Sequence, residues 1–229
     1  MYPDHLPLRD DLKQAHADAL RTIAQPGPSW TAAQRLNMVR TARAATACPL
    51  CAERKTALSP SAVTGTHDGP AELGVLAVDT IHRIRTDPGR LTRSWFDAVT
   101  REIEPAAYVE LVSVVNTSVI IDTLHRALGL EVPELPAPVP GPPTAEAPGD
   151  TVDEGAWVPI SRAPRDMADT GLPTVPNIAR AMGLVPAAVS LFFGAFRPHY
   201  ALKDIALSIS QSQAEFVASR VSAMNECFY

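Results

Sequence analysis

Apolar residues in the first 130 positions recur at helical spacing, and proline or glycine ends each run. Between Arg9 and Ile23 the apolar positions are Leu12, Ala15, Ala19, Leu20 and Ile23, and Pro26-Gly27-Pro28 closes the segment. Such spacing lines one face of a helix, and proline cannot continue it. Thr31 to Gln34 reads as a capping box that starts a helix running to about Thr46. Pro49 favours a fresh start, because proline fits the first helical position, and it pushes Cys48 out of the α region into the N-cap. A helix from Pro49 to about Leu58 follows, then Leu73 to Thr86, Leu91 to Ile103 and the long apolar stretch Pro105 to Leu128. No run alternates convincingly with period two, so the expected fold class is all-α with essentially no sheet.

The pattern changes at Glu131. EVPELPAPVPGPPTAEAPGDTVD is proline-rich, acidic and without periodicity, so it reads as an extended connector whose apolar residues can pin it to the surface. Helical spacing resumes at Pro176 to Met182 and Pro186 to Phe196, and a last helix starts at Ser212-Gln-Ala-Glu215, read as a second capping box. The expected organisation is a helical region over 1–130, a connector over 131–165 and a second motif region over 166–229 that packs on the first.

Within this helical pattern one stretch occurs twice. QRLNMVRTARAATACPLC begins at Gln34 and QAEFVASRVSAMNECFY at Gln213, and in register Cys48 falls on Cys227. All three cysteines lie in these segments. Similar helices usually occupy similar places in a repeated unit. The two motif helices are therefore expected as pseudo-equivalent neighbours, with Met38, Ala42 and Ala45 of one and Val217, Val221 and Met224 of the other facing the core.

Net charge is −5 and the basic residues are scattered, which leaves no footprint for nucleic acid. The N-terminal MYPDHLPLRDDLKQ lacks an apolar signal region, and Tyr108 to Leu124 carries Glu110, Asn116 and Asp122, so no membrane partner is expected. Three cysteines do not make a disulfide framework and favour a reducing, cytoplasmic setting.

Cys48 and Cys51, three apart across a helix start, can meet in a disulfide. The helix N-terminus, with Arg54 and Lys55 one turn on, is expected to lower the Cys51 pKa and favour a thiolate that attacks a peroxide or a disulfide. Two other readings stand beside this one. Buried structural cysteines give the same spacing. Zinc would need four ligands, and beyond the C-x-x-C only Cys227 and the scattered His67, His82 and His125 remain, with no paired spacing. No metal and no cofactor is assigned on that ground. His67 reads as a solvated loop residue and His125 as a satisfied residue on an apolar helix.

The C-x-x-C at Cys48 and Cys51, the segment EIEPAAYVELVSVVNTSVIIDTLHRALGL and the second motif start at Gln213 resemble the AhpD-like alkylhydroperoxidase and carboxymuconolactone decarboxylase superfamily. The family motif is a glutamate, eleven residues, then C-x-x-C-x-x-x-H. The resemblance implies an AhpD-like all-helical oligomer, in which Cys51 is peroxidatic and Cys48 resolves it. It also implies a peroxide or small disulfide as substrate and a thiol reductant. The glutamate and histidine of the family's proton relay are replaced here by Leu36 and Lys55 in the first copy. In the second copy Glu215 holds the glutamate position before Cys227. The sites implied are Cys51, Cys48, Lys55, Glu215 and Cys227. The alternatives are a non-catalytic oligomerising scaffold, favoured by the lost relay, and a decarboxylase-like activity, against which the cysteine pair argues. Because the second copy stops where its reactive residue is due, the expected continuation after Tyr229 is a selenocysteine, or else a cysteine.

Overall fold

In the computed structural model of the chain, residues 1–162, 177–200 and 207–224 are described. Among these the fold is helical: α1 Asp10–Ile23, α2 Ala32–Ala45, α3 Pro49–Thr56, α4 Val75–Thr86, α5 Arg93–Val99, α6 Pro105–Ala127, α7 Asn177–Met182, α8 Pro186–Phe196 and α9 Gln211–Met224. One two-residue antiparallel ladder, β1 Thr151–Val152 with β2 Ile160–Ser161, lies within the expected irregular stretch. The all-α class is thus observed.

Helix α6 is the central strut. It packs against α2, α4, α1 and α8. Its Leu111, Val114, Val115 and Ile121 join Leu36, Met38 and Val39 of α2 and Ile81 of α4 in one core. Burying each of these side chains is worth roughly 1.5–3 kcal/mol. Leu191 and Ala195 of α8 belong to the same core, and Met182, Leu184, Val185 and Phe192 extend it over Val109. By length and composition α6 is the one described helix able to cross a membrane. Here most of it is covered by protein, and its Glu110 and Asp122 are paired with Arg35 and Arg43.

From Glu131 to Gly149 the chain forms neither helix nor strand and is pinned to its neighbours. Val139 N–H donates to Ala24 O, Thr144 N–H to Gly27 O and Gly149 N–H to Leu184 O, while Leu135 packs on the core. The chain end is held by a polar cluster: Tyr2 Oη bonds His16 Nδ1, His16 Nε2 lies 2.7 Å from His199 Nε2, and Tyr2 stacks on His125. His125 is fully buried and satisfied by Ile121 O.

The two copies of the repeated stretch share a cap but not an environment. Thr31 and Gln34 cap α2 reciprocally. Ser210 and Gln213 do the same for α9, since Ser210 N–H donates to Gln213 Oε1 and Gln213 N–H to Ser210 Oγ. The second capping box is therefore at Ser210–Gln213, two residues earlier than the Ser212–Glu215 expectation, and Gln34 and Gln213 are true equivalents. Burial then diverges. Met38, Ala42 and Ala45 are in the core, whereas Phe216, Val217, Val221 and Met224 are exposed and only Ala214 of α9 is buried. The expectation of pseudo-equivalent core helices is thereby corrected. A cap is a local property of four residues, but burial needs a facing surface, which α4 and α6 supply for α2.

Two outcomes follow from this packing. Glu110→Ala leaves the Arg35 charge buried without its partner and should cost about 3–5 kcal/mol in denaturant unfolding. His16 is held neutral: burial first, then His199 and His125, push its pKa down to about 3. A depressed histidine contributes stability that is intact above its unfolded value of about 6.5 and lost as pH falls toward the folded value. Unfolding midpoints should therefore decline below about pH 6.5, and His16→Gln should flatten that decline.

Candidate functional site

The C-x-x-C folds locally as its sequence dictates. Cys48 is the N-cap of α3 in extended conformation (φ −74°, ψ 121°), Pro49 occupies the first helical position and Cys51 lies in the first turn. Both are free thiols. Cys48 is half-buried, and Cys51 is 2% exposed.

Two histidines converge on Cys51. His82, on α4, places Nδ1 3.2 Å from Cys51 Sγ, and His67, in the loop before α4, places Nε2 3.3 Å from it. The two rings stack with centroids 3.9 Å apart. The His67 side chain is 1% exposed, and His82 is 3% exposed. One ligand-capable atom from each of Cys48, Cys51, His67 and His82 lies within 4.8 Å of every other.

The neighbours hold this group in place. His67 Nδ1 is 3.1 Å from Asp79 Oδ1. Arg54 donates to the same Asp79 oxygen at 2.7 Å and to Val63 O at 3.3 Å, so one guanidinium joins α3, the His67 loop and α4. Arg90 closes the far end of α3 by donating to Ala57 O and Arg54 O. The loop lies close on α4 because Gly69 has no side chain; a Cβ there would come within 2.6 Å of Val78. Beside His67, Asp79 and Arg54 a cleft of about 680 Å³ opens, walled also by Trp30, Leu76 and Ile103. Cys51 is not in its wall.

Burial dominates the electrostatics. It pushes the Cys51 thiol up to about 11, a rise to which the Cys48 thiol adds and which Thr86 and Arg54 oppose. The expectation of a depressed Cys51 pKa is thus corrected, because enclosing the sulfur outweighs the helix end. Burial first, then His67, lowers the His82 pKa to about 4, and burial lowers that of His67 against the pull of Asp79. Burial thus favours the neutral form of both imidazoles.

The other expected residues lie apart from this group. Lys55 is exposed, and the cation at the site is Arg54. Leu36, at the relay position, is fully buried in the core. Glu215 accepts from Tyr200 Oη at 2.7 Å and Gln211 Nε2 at 2.6 Å on α9. Cys227 lies outside the described residues. Reading the sequence missed His82 and Asp79 as site residues and took His67 as solvated. The signal was present in LAVDTIHRI, where Asp79 and His82 stand three apart on a mostly apolar helix.

Compared with protein families, curated proteins and solved structures, the chain matches none. With metal removed and thiols reduced, iodoacetamide should label Cys48 before Cys51, read by peptide mass mapping, because Cys48 is half-buried and Cys51 almost fully enclosed. Equal labelling of both in the folded protein would contradict the enclosure of Cys51.

Proposed function

We propose that this chain is a thiol-dependent redox protein of alkylhydroperoxidase type, in which Cys51 attacks a peroxide or small disulfide and Cys48 resolves the product. One observation supports this most: Cys51 Sγ, His67 Nε2, His67 Nδ1 and Asp79 Oδ1 form a continuous chain of close contacts, with Cys48 beside it. This is a nucleophile, a base and a group that orients the base. His67 and Asp79 stand in for the glutamate and histidine relay that Leu36 and Lys55 lack.

A thiol with a raised pKa needs such a base. As Sγ attacks the peroxide, the S–O bond forms and the O–O bond breaks. The thiol proton passes to His67 Nε2 and on to the departing alkoxide, which leaves as an alcohol. Cys48 then attacks the Cys51 sulfenic acid; the S–S bond forms and water leaves. Two thiol equivalents of an external reductant restore the pair by exchange. Free thiols suit a reducing cytoplasm, and the exposed apolar stripe of α9 (Phe216, Val217, Val221, Met224) is in keeping with a homo-oligomer.

Metal-free, reduced protein should lose two titratable thiols on adding peroxide while the peroxide is consumed. Cys48→Ser should halt at a sulfenic acid on Cys51, trapped by dimedone. His67→Gln should slow the reaction roughly 100- to 10,000-fold, the usual worth of general base catalysis. An unchanged thiol count with no peroxide consumed would instead leave a non-catalytic scaffold as the better reading.

A further inference from the structure

The geometry points to a closed, four-ligand site for a borderline divalent cation, best suited to Zn²⁺, formed by Cys48, Cys51, His67 and His82. It extends beyond the redox reading and stands without it, since it requires no reaction. Two thiols and two imidazoles are a set that zinc takes in structural sites, with Zn–S about 2.3 Å and Zn–N about 2.0–2.1 Å. Those bond lengths place sulfur and nitrogen about 3.5 Å apart along a tetrahedral edge. Cys51 Sγ lies 3.2 Å from His82 Nδ1 and 3.3 Å from His67 Nε2, close to that edge. The whole set falls within 4.8 Å.

The nitrogens are oriented for such an ion. Both rings present a nitrogen to the same sulfur, side by side and almost fully enclosed. A cation among them would accept one lone pair from each ring and each sulfur at once. Zinc ligation also needs the neutral imidazoles and deprotonated thiols that a bound cation enforces.

The residues behind the ligands fit as well. A zinc-bound histidine usually directs its other nitrogen to a carboxylate, which fixes the tautomer. His67 does so toward Asp79, and Asp79 is held by Arg54. The bound ion would cross-link α3, the His67 loop and α4, and it would withhold both thiolates from a peroxide.

The test is an anaerobic Co²⁺ titration of the full, reduced, chelator-treated chain. One equivalent should bind, giving the intense visible bands of tetrahedral cobalt and a sulfur-to-cobalt charge-transfer band, and Zn²⁺ should displace it. Cys51→Ser and His82→Asn should each lose this spectrum while far-ultraviolet circular dichroism keeps the helical signal. Asp79→Asn should keep the spectrum but weaken affinity roughly 10- to 100-fold. The absence of a saturable tetrahedral spectrum in folded protein would overturn the proposal, as would undiminished binding by a Cys48→Ser/Cys51→Ser double variant. Peroxide consumption by metal-free protein is read separately, so the failure of one reading leaves the other standing.

Discussion

The buried ion pair of Arg35 and Glu110 is the constraint around which the helices are arranged. Arg35 Nε lies 3.4 Å from Glu110 Oε1, and the two side chains are 5% and 2% exposed. A pair so enclosed survives only if further hydrogen bonds satisfy its remaining atoms. Arg35 donates to Thr22 O and Gln25 O at the end of α1, and Glu110 accepts from Ser29 N–H. One pair thereby fixes the end of α1, the Pro26-Gly27-Pro28 turn, the start of α2 and the first turns of α6. The turn must contain glycine, because a Cβ on Gly27 would overlap the Glu110 carboxylate. Burial raises the Glu110 pKa while Ser29 and Arg35 lower it, and burial lowers that of Arg35. The contact sets geometry more than it adds stability.

A second arginine repeats the device at the cysteines. Arg54 is buried and shares Asp79 with His67, so α3, a loop and α4 meet at one carboxylate. The bidentate Arg43–Asp122 pair links α2 to α6, and Arg43 also donates to Pro133 O, tying the connector in place. Arginine suits all three positions because its planar donors reach a carboxylate and a backbone carbonyl together. The Cys48–Cys51 group is thus braced from behind by Arg54 and Asp79, and the cleft opens beside His67.

Both uses considered for the site, a base-assisted thiol nucleophile and a cation cage, draw on the same feature. Neutral imidazoles are pressed against a sulfur that water barely reaches. Enclosure makes an isolated thiolate unfavourable, so the sulfur depends on its neighbours for a proton acceptor or a positive charge. The C-x-x-C pair was legible as a site because its spacing is local. His67 and His82 were not, because they stand 16 and 31 residues from Cys51 and meet it only through the packing of α3 on α4.

The sequence by itself determined the helical class, the proline-led helix starts, the cap at Cys48 and the reciprocal cap at Thr31–Gln34. These rest on hydrogen bonds and dihedral limits spanning a few residues, which local sequence encodes directly. Tertiary structure alone decided that the second copy of the repeated stretch would lie exposed while the first is buried. It decided that Arg54 rather than Lys55 would be the cation beside the thiols, and that the Cys51 pKa would rise rather than fall. Each of these turns on which surface faces which, and that depends on residues far apart in the chain brought together by the burial of α6.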